Sequence, residues 1–155
     1  MSRDETFPVD LHTDAEIESE LLRLVERAGA DIRGDGLRAR TITVRLRDAD
    51  FTTRQASRTL DEPVESDRAI ATVARALLAR LRRARRVGAR LVGVSLSQFG
   101  DAEGPPQLAL FDAGSLGSTA PPVETERDRT VSRTVDAIRA RFGRGSIGPA
   151  RLLGD

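Results

Sequence analysis

The run Thr41-Ile42-Thr43-Val44-Arg45-Leu46-Arg47 alternates strictly between polar and apolar side chains. On a pleated strand Ile42, Val44 and Leu46 share one face, while Thr41, Thr43, Arg45 and Arg47 share the other. Guanidinium forks and hydroxyls on one exposed face have the chemistry to grip phosphate oxygens. The same pattern fits the solvated face of a half-buried sheet equally well. A second chemical feature is Gln107-Leu108-Ala109-Leu110-Phe111, an apolar island that follows Pro105-Pro106 in an acidic stretch. A segment without a core of its own gives up entropy on docking, so it needs a few large apolar anchors. Leu108, Leu110 and Phe111 supply them, and the Gln107 amide can orient the segment.

Other residue groups carry less chemistry. Asp48-Ala49-Asp50 has the look of a metal-binding carboxylate pair, but it falls between two strand patterns, where Asp favours turn geometry. The single histidine, His12, precedes a helix start and reads as a loop residue. Gly143-Arg144-Gly145-Ser146 has no strand before it and is not a phosphate loop. The chain has no Cys, which excludes a disulfide framework and a thiolate zinc site and fits a reducing cytoplasm. No apolar run of membrane-spanning length is present, so no membrane partner is expected.

The elements that position these residues follow from periodicity. Thr13-Asp14-Ala15-Glu16 is a capping box, and behind it Ile17, Leu21, Leu24 and Ala28 recur at helical spacing, with Gly29 and Gly34 marking the end. A second helix starts after Ser66, aligns Ile70, Val73, Ala74, Leu77 and Leu81, and ends by Gly88. The returning strand of a hairpin runs from Phe51 through Leu60. Arg90 to Ser97 alternates again with Val92, Val94 and Leu96, and Glu5 to Val9 can supply a further strand. The order β-α-β-β-α-β predicts an α+β fold: a four-stranded antiparallel sheet with both helices on one face. Residues 1–99 form this domain, residues 100–126 read as a flexible linker, and residues 127–155 as a helical tail. In the tail Val131, Val135, Ile138 and Phe142 make an apolar stripe that stops at Gly143. Such a helix is marginal alone, and the stripe does not say whether it docks on the domain or on a partner.

Charge is uneven along the chain although the net charge is only +1. Residues 31–99 carry 15 Arg against 8 acids, while residues 100–126 carry no Arg and 5 acids. A basic middle is the footprint of a nucleic-acid-binding surface. All 25 cations are Arg. Codon usage in a GC-rich genome explains that more simply than phosphate gripping, because Arg replaces Lys even in the tail. The absence of Lys excludes a Walker-type loop.

A resemblance adds to this reading. Arg3-Asp4-Glu5-Thr6-Phe7, Leu37 to Val44, Asp50-Phe51-Thr52-Thr53, Ser57-Arg58-Thr59-Leu60 and Leu91 to Ser97 resemble, in order, the little finger domain of Y-family (translesion) DNA polymerases, the bacterial DNA polymerase IV type in particular. The resemblance covers about residues 2–99. It implies a sheet laid in the major groove of duplex DNA (the primer-template) that touches backbone phosphates without reading sequence. By position it points to Arg54 and Arg58 as contacts, beside Arg45 and Arg47, with Thr43, Thr53 and Ser95 as hydroxyl donors. Gln107, Leu108, Leu110 and Phe111 resemble the pentapeptide by which bacterial polymerases bind the sliding clamp, and Val135 to Gly143 resembles a tail of some bacterial members.

The family's nucleotidyl transfer uses magnesium held by palm carboxylates. Nothing here matches the palm or fingers motifs, and Met1 stands where the inter-domain linker would be. The expectation is a cytoplasmic, nucleoid-associated, monomeric DNA- and clamp-binding portion of an error-prone DNA repair polymerase. It has no catalytic residue, no cofactor and no metal site of its own, and whether it counts as an enzyme is left open. The alternative is a stand-alone accessory or decoy that occupies the clamp and DNA. A single-strand or RNA module is disfavoured by the absence of Trp and Tyr.

Overall fold

The computed structural model describes residues 1–101 and 123–148. In chain order the elements are β1 (Ser2–Leu11), α1 (Asp14–Gly34), β2 (Leu37–Asp48), β3 (Thr53–Val64), α2 (Asp67–Ala84), β4 (Ala89–Asp101) and α3 (Glu126–Phe142). The strands form one antiparallel sheet in the order β1-β4-β2-β3. Helix α1 packs over β1 and β4, and α2 over β2 and β3. The α+β architecture expected from periodicity is present. Among the described residues no helix is long and apolar enough to cross a membrane.

Local sequence explains where the helices begin. The Thr13 hydroxyl accepts from the Glu16 N–H at 3.2 Å and the Glu16 carboxylate accepts from the Thr13 N–H at 3.0 Å, closing the capping box. Those bonds hold the Glu16 carboxyl below its ordinary value. Ser66 caps α2 through the Ala69 N–H. Ile17, Leu21, Leu24, Val25 and Ala28 of α1 meet Ile70, Val73, Ala74 and Leu77 of α2 over Ile42, Val44, Leu46, Val92, Val94 and Leu96 of the sheet. Gly29 does not end α1 as the sequence suggested. It is buried inside the helix, where a Cβ would collide with the Asp67 carboxylate, so it permits close approach of α1 and the start of α2.

The hairpin differs from expectation at its tip. Phe51 belongs to the turn, not to β3, which begins at Thr53 and runs on to Val64. The tip is locked by a carboxylate. Asp48 is fully buried and receives Nε and Nη2 of Arg54 at 2.9 and 2.8 Å, and Nη1 of Arg85 at 3.2 Å. Arg54 also donates to the carbonyls of Leu81 and Arg85, at 2.6 and 3.3 Å. Arg85 reaches Asp50 at 2.6 Å, and with the Thr52 N–H it lowers the Asp50 carboxyl to about 2. Asp48 closes β2, and Ala49 and Asp50 form the turn that the composition of this segment indicates.

The tail helix docks on the domain, but only the middle of its apolar stripe, Val135 and Ile138, is even half-buried. Val131 is 54% exposed and Phe142 68%, whereas Ser132 is buried. The partner surface explains this, because α3 packs on the start of α2, where free N–H groups need acceptors. Glu124 accepts from the Glu65 N–H at 2.9 Å and from the Ser66 N–H, and the Ser132 hydroxyl accepts from the Asp67 N–H at 3.1 Å. Arg33, 4% exposed, joins three helices: its Nε meets Asp136 at 2.6 Å and its Nη1 meets Asp67 at 2.8 Å. Arg139–Glu26 and Arg133–Glu65 add pairs at 2.8 Å each. Burial raises the Asp67 carboxyl. For Glu124 burial also acts upward, but the bonds from Arg129, Ser66 and Glu65 outweigh it and the carboxyl lies below 4.5.

Two outcomes follow. Asp48→Ala strands the Arg54 guanidinium in a mostly buried site, and urea unfolding is expected to show a loss of about 3–5 kcal/mol. A loss below about 1 kcal/mol would mean that the ion cluster is not what fixes the tip. Because the Glu124 carboxyl is depressed in the folded state, its contribution is present above pH 4.5 and lost as pH falls through the lower folded value. Asp67, raised by burial, works in the opposite direction. Hydrogen exchange of α3 amides between pH 6 and 3 should therefore show the tail losing protection before the sheet does. Simultaneous loss would show that Glu124 does not control docking.

Candidate nucleic-acid interface

The face of the sheet away from the helices is built in rows, because antiparallel register brings alternate residues of neighbouring strands side by side. Ser2, Ser95, Thr43 and Ser57 form one row across all four strands, a line of hydroxyls. The Thr43 and Ser57 oxygens are 2.8 Å apart. On one side lies the row Ser97, Thr41 and Thr59, where the Thr41 and Thr59 hydroxyls are 2.9 Å apart and Thr41 donates to the Gln98 side chain at 2.9 Å. On the other side lie Asp4, Gly93, Arg45 and Gln55, and beyond them Thr6, Leu91, Arg47 and Thr53.

The cations in this array are loosely held. Arg45 reaches Asp4 at 3.4 Å, across Gly93, whose missing Cβ leaves room for the Asp4 carboxylate. Arg47 donates to the Thr53 hydroxyl at 3.1 Å, and among the described residues it has no carboxylate partner. Both guanidiniums keep donors for an incoming anion, since each carries five N–H groups. Short hydroxyl side chains let a phosphate backbone approach the sheet closely. No aromatic side chain stands in these rows, so the surface offers hydrogen bonds and charge rather than base stacking.

Thr43, Arg45, Arg47, Thr53 and Ser95 are thus brought together on one face. Arg54 and Arg58 are not. Their register partners are Leu46 and Ile42, which are buried beneath the helices, so both arginines belong to the helix side of the sheet. Arg54 is committed to Asp48 and to two backbone carbonyls. Arg58 is exposed on the edge strand β3. The open-face residues of β3 are Thr53, Gln55, Ser57 and Thr59. Gln55, Ser57 and Thr59 were missed from sequence, although the apolar Ala56 and Leu60 mark the parity of that strand. Gln107, Leu108, Leu110 and Phe111 lie outside the described residues.

Elsewhere the cations are mostly occupied. A cleft of about 1120 Å³ runs between α1 and α3. Its Arg3, Arg23, Arg33, Arg133 and Arg139 already pair with Asp31, Glu20, Asp136, Glu65 and Glu26. Among the described residues no group of three or more His, Asp or Glu side chains is placed to hold a metal ion.

Comparison with known proteins gives this geometry a family. Residues 1–110 match the impB/mucB/samB family C-terminal domain. DNA polymerase IV of Caulobacter vibrioides is 31% identical over 153 residues, covering 99% of this chain and 35% of that protein. DNA polymerase IV of Desulfatibacillum aliphaticivorans is 32% identical over 158 residues, covering all of this chain and 37% of its own length. The chain therefore spans about a third of the length of these relatives. Among solved structures, the DinB protein of Sulfolobus solfataricus shares the fold with a TM-score of 0.53 and 23% identity, over 62% of this chain and 27% of that one. The little finger domain of PolIV in complex with the beta-clamp processivity factor aligns with a TM-score of 0.50 and 25% identity. It covers 71% of this chain and 96% of the other. With its four-stranded sheet, helix-covered on one side and hydroxyl- and arginine-bearing on the other, the chain belongs to the impB/mucB/samB family and carries that family's C-terminal domain, the little finger of Y-family DNA polymerases.

Proposed function

We propose that this chain is the DNA-gripping and clamp-binding portion of an error-prone translesion DNA polymerase of the DNA polymerase IV type, acting in DNA repair and damage tolerance. The observation that carries the reading is the open sheet face, where Arg45 and Arg47 stand with free donors beside the rows of hydroxyls from Thr43, Ser57, Ser95 and Thr53. This face suits duplex DNA held by its phosphates. Contacts of that kind fix position and leave sequence unread, as a polymerase moving along any template requires. Arg58, on the exposed edge, adds charge near the rim. Arg54 holds the hairpin in shape instead of meeting DNA.

The second half of the function is attachment. Gln107, Leu108, Leu110 and Phe111 follow the sheet closely in sequence, and the relative that aligns over 96% of its own length was solved in complex with a clamp processivity factor. In this reading the pentapeptide binds the bacterial sliding clamp and raises the local concentration of the sheet at the primer terminus, so two modest affinities multiply. Nucleotidyl transfer and its magnesium ions belong to the catalytic part of such a polymerase, and no residue of this chain is assigned to them. The chain works as a monomer in the cytoplasm, on the nucleoid.

Two measurements test the reading. Fluorescence anisotropy on duplex DNA should show affinity falling linearly with log salt. Arg45→Ala with Arg47→Ala should flatten that slope by roughly 2, since each phosphate contact contributes about 0.9. An unchanged slope would remove the open face as the DNA-binding surface. Binding to the bacterial sliding clamp should be saturable for the intact chain and lost in the Leu110→Ala, Phe111→Ala double variant. Equal binding by both proteins would rule out the pentapeptide as the anchor.

A further inference from the structure

The β2–β3 turn holds a feature that the open face does not use. Phe51 adopts φ of 66°, the left-handed region that Gly and Asn enter readily and a bulky side chain does not. The residue is also 63% exposed, so the side chain is disfavoured by its backbone and does not compensate by burial. Yet the ring stands on a rigid mount. The Asp48 N–H bonds to the Thr52 carbonyl, the Phe51 N–H to the Asp48 carbonyl, and the Ala49 N–H to the Gly88 carbonyl, each at 2.9 Å. Arg85 pins Asp48 and Asp50 from the side. The Arg90 guanidinium lies over the ring, 4.7 Å from its centroid, and is itself held by Asp10 at 2.9 Å. Strain that the surroundings over-determine, at an exposed position, points to use.

The segment that braces the turn, at the end of α2 and just after it, is cationic. Arg86 lies in the short segment between Arg85 and Gly88, both of which bond to the turn, and it is exposed. Arg83, also exposed, donates only to the Ala79 carbonyl at 3.3 Å. Among the described residues neither has a carboxylate partner. An apolar protein surface would gain nothing from unpaired guanidiniums around its anchor, whereas a nucleotide presents both a flat face and a phosphate.

We propose that the hairpin tip is a stacking site for an unpaired nucleotide: the Phe51 ring, with Arg90 behind it, receives a base, and Arg83 and Arg86 take the flanking phosphates. The site rests on the duplex reading of the sheet and extends it to the single strand that continues beyond the duplex.

The test compares three DNAs on the intact chain by fluorescence anisotropy: a blunt duplex, the same duplex with a short thymidine overhang, and the overhang strand alone. The overhang should tighten binding about tenfold, the scale of one base–aromatic stack. Phe51→Asn should abolish that gain, leave blunt-duplex affinity unchanged, and keep or raise the melting temperature, because Asn suits a positive φ. Arg83→Ala with Arg86→Ala should reduce the gain and its salt dependence. Blunt-duplex binding without any gain from the overhang overturns the tip site and leaves the duplex reading intact. A gain that persists in Phe51→Asn overturns it too, as does a melting temperature that drops by several degrees, which would make the ring a structural clasp. Failure to bind any of the three DNAs would defeat the duplex reading first, and the tip with it.

Discussion

Two helices on one side of four strands leave the sheet with two unlike faces, and the pleat decides which side chain goes to which. In β2 a shift of one residue would exchange Ile42, Val44 and Leu46 for Thr43, Arg45 and Arg47, burying charge and exposing the core. The hydrophobic cost of such a slip fixes the register, and the register in turn composes the rows of the open face. A row such as Ser2, Ser95, Thr43 and Ser57 draws one residue from each strand, so no local segment specifies it. The composition of the open face is a by-product of burying the opposite side.

That dependence sets what the sequence could reveal. Capping boxes are local, and the one at Thr13 and Glu16 was readable because both partners lie within one turn. The alternation of β2 was equally plain. Strand β3 misled because Arg54 and Arg58 were assigned by resemblance, whereas Ala56 and Leu60 already carried the parity that turns both arginines toward the helices. The sequence pattern places Phe51 at the start of the returning strand, directly after the Asp48-Ala49-Asp50 turn. Only the bonds from Asp48, Thr52 and Gly88 make it a turn residue. For α3 the apolar stripe was real, but a stripe reports what a helix can bury and says nothing about what its dock requires. The start of α2 required acceptors, which Glu124 and Ser132 supply.

Charge tells a similar story. The excess of Arg in residues 31–99 read as a nucleic-acid footprint, yet several of those guanidiniums are internal fasteners. Arg33 joins α1, α2 and α3, Arg54 holds the hairpin tip, and Arg82 ties the end of α2 to Asp14 at 2.6 Å. Side chains of this kind act through geometry, five donors in a fixed fork, and not as free positive charge. A count of cations therefore overstates the free positive charge on the surface, and position on the sheet matters more than number.

The strand order has a consequence in time. Strand β1 precedes the other elements in chain order, but among the described residues its neighbour in the sheet is β4, whose pairing residues begin at Ala89. Until that stretch emerges, β1 has an unpaired edge on both sides, and β2 and β3 can form only a hairpin. The cap that Glu124 places on the start of α2 comes later still. The sheet thus closes only once β4 has been made, a long-range pairing that leaves nascent β1 exposed while α1, β2, β3 and α2 are synthesised.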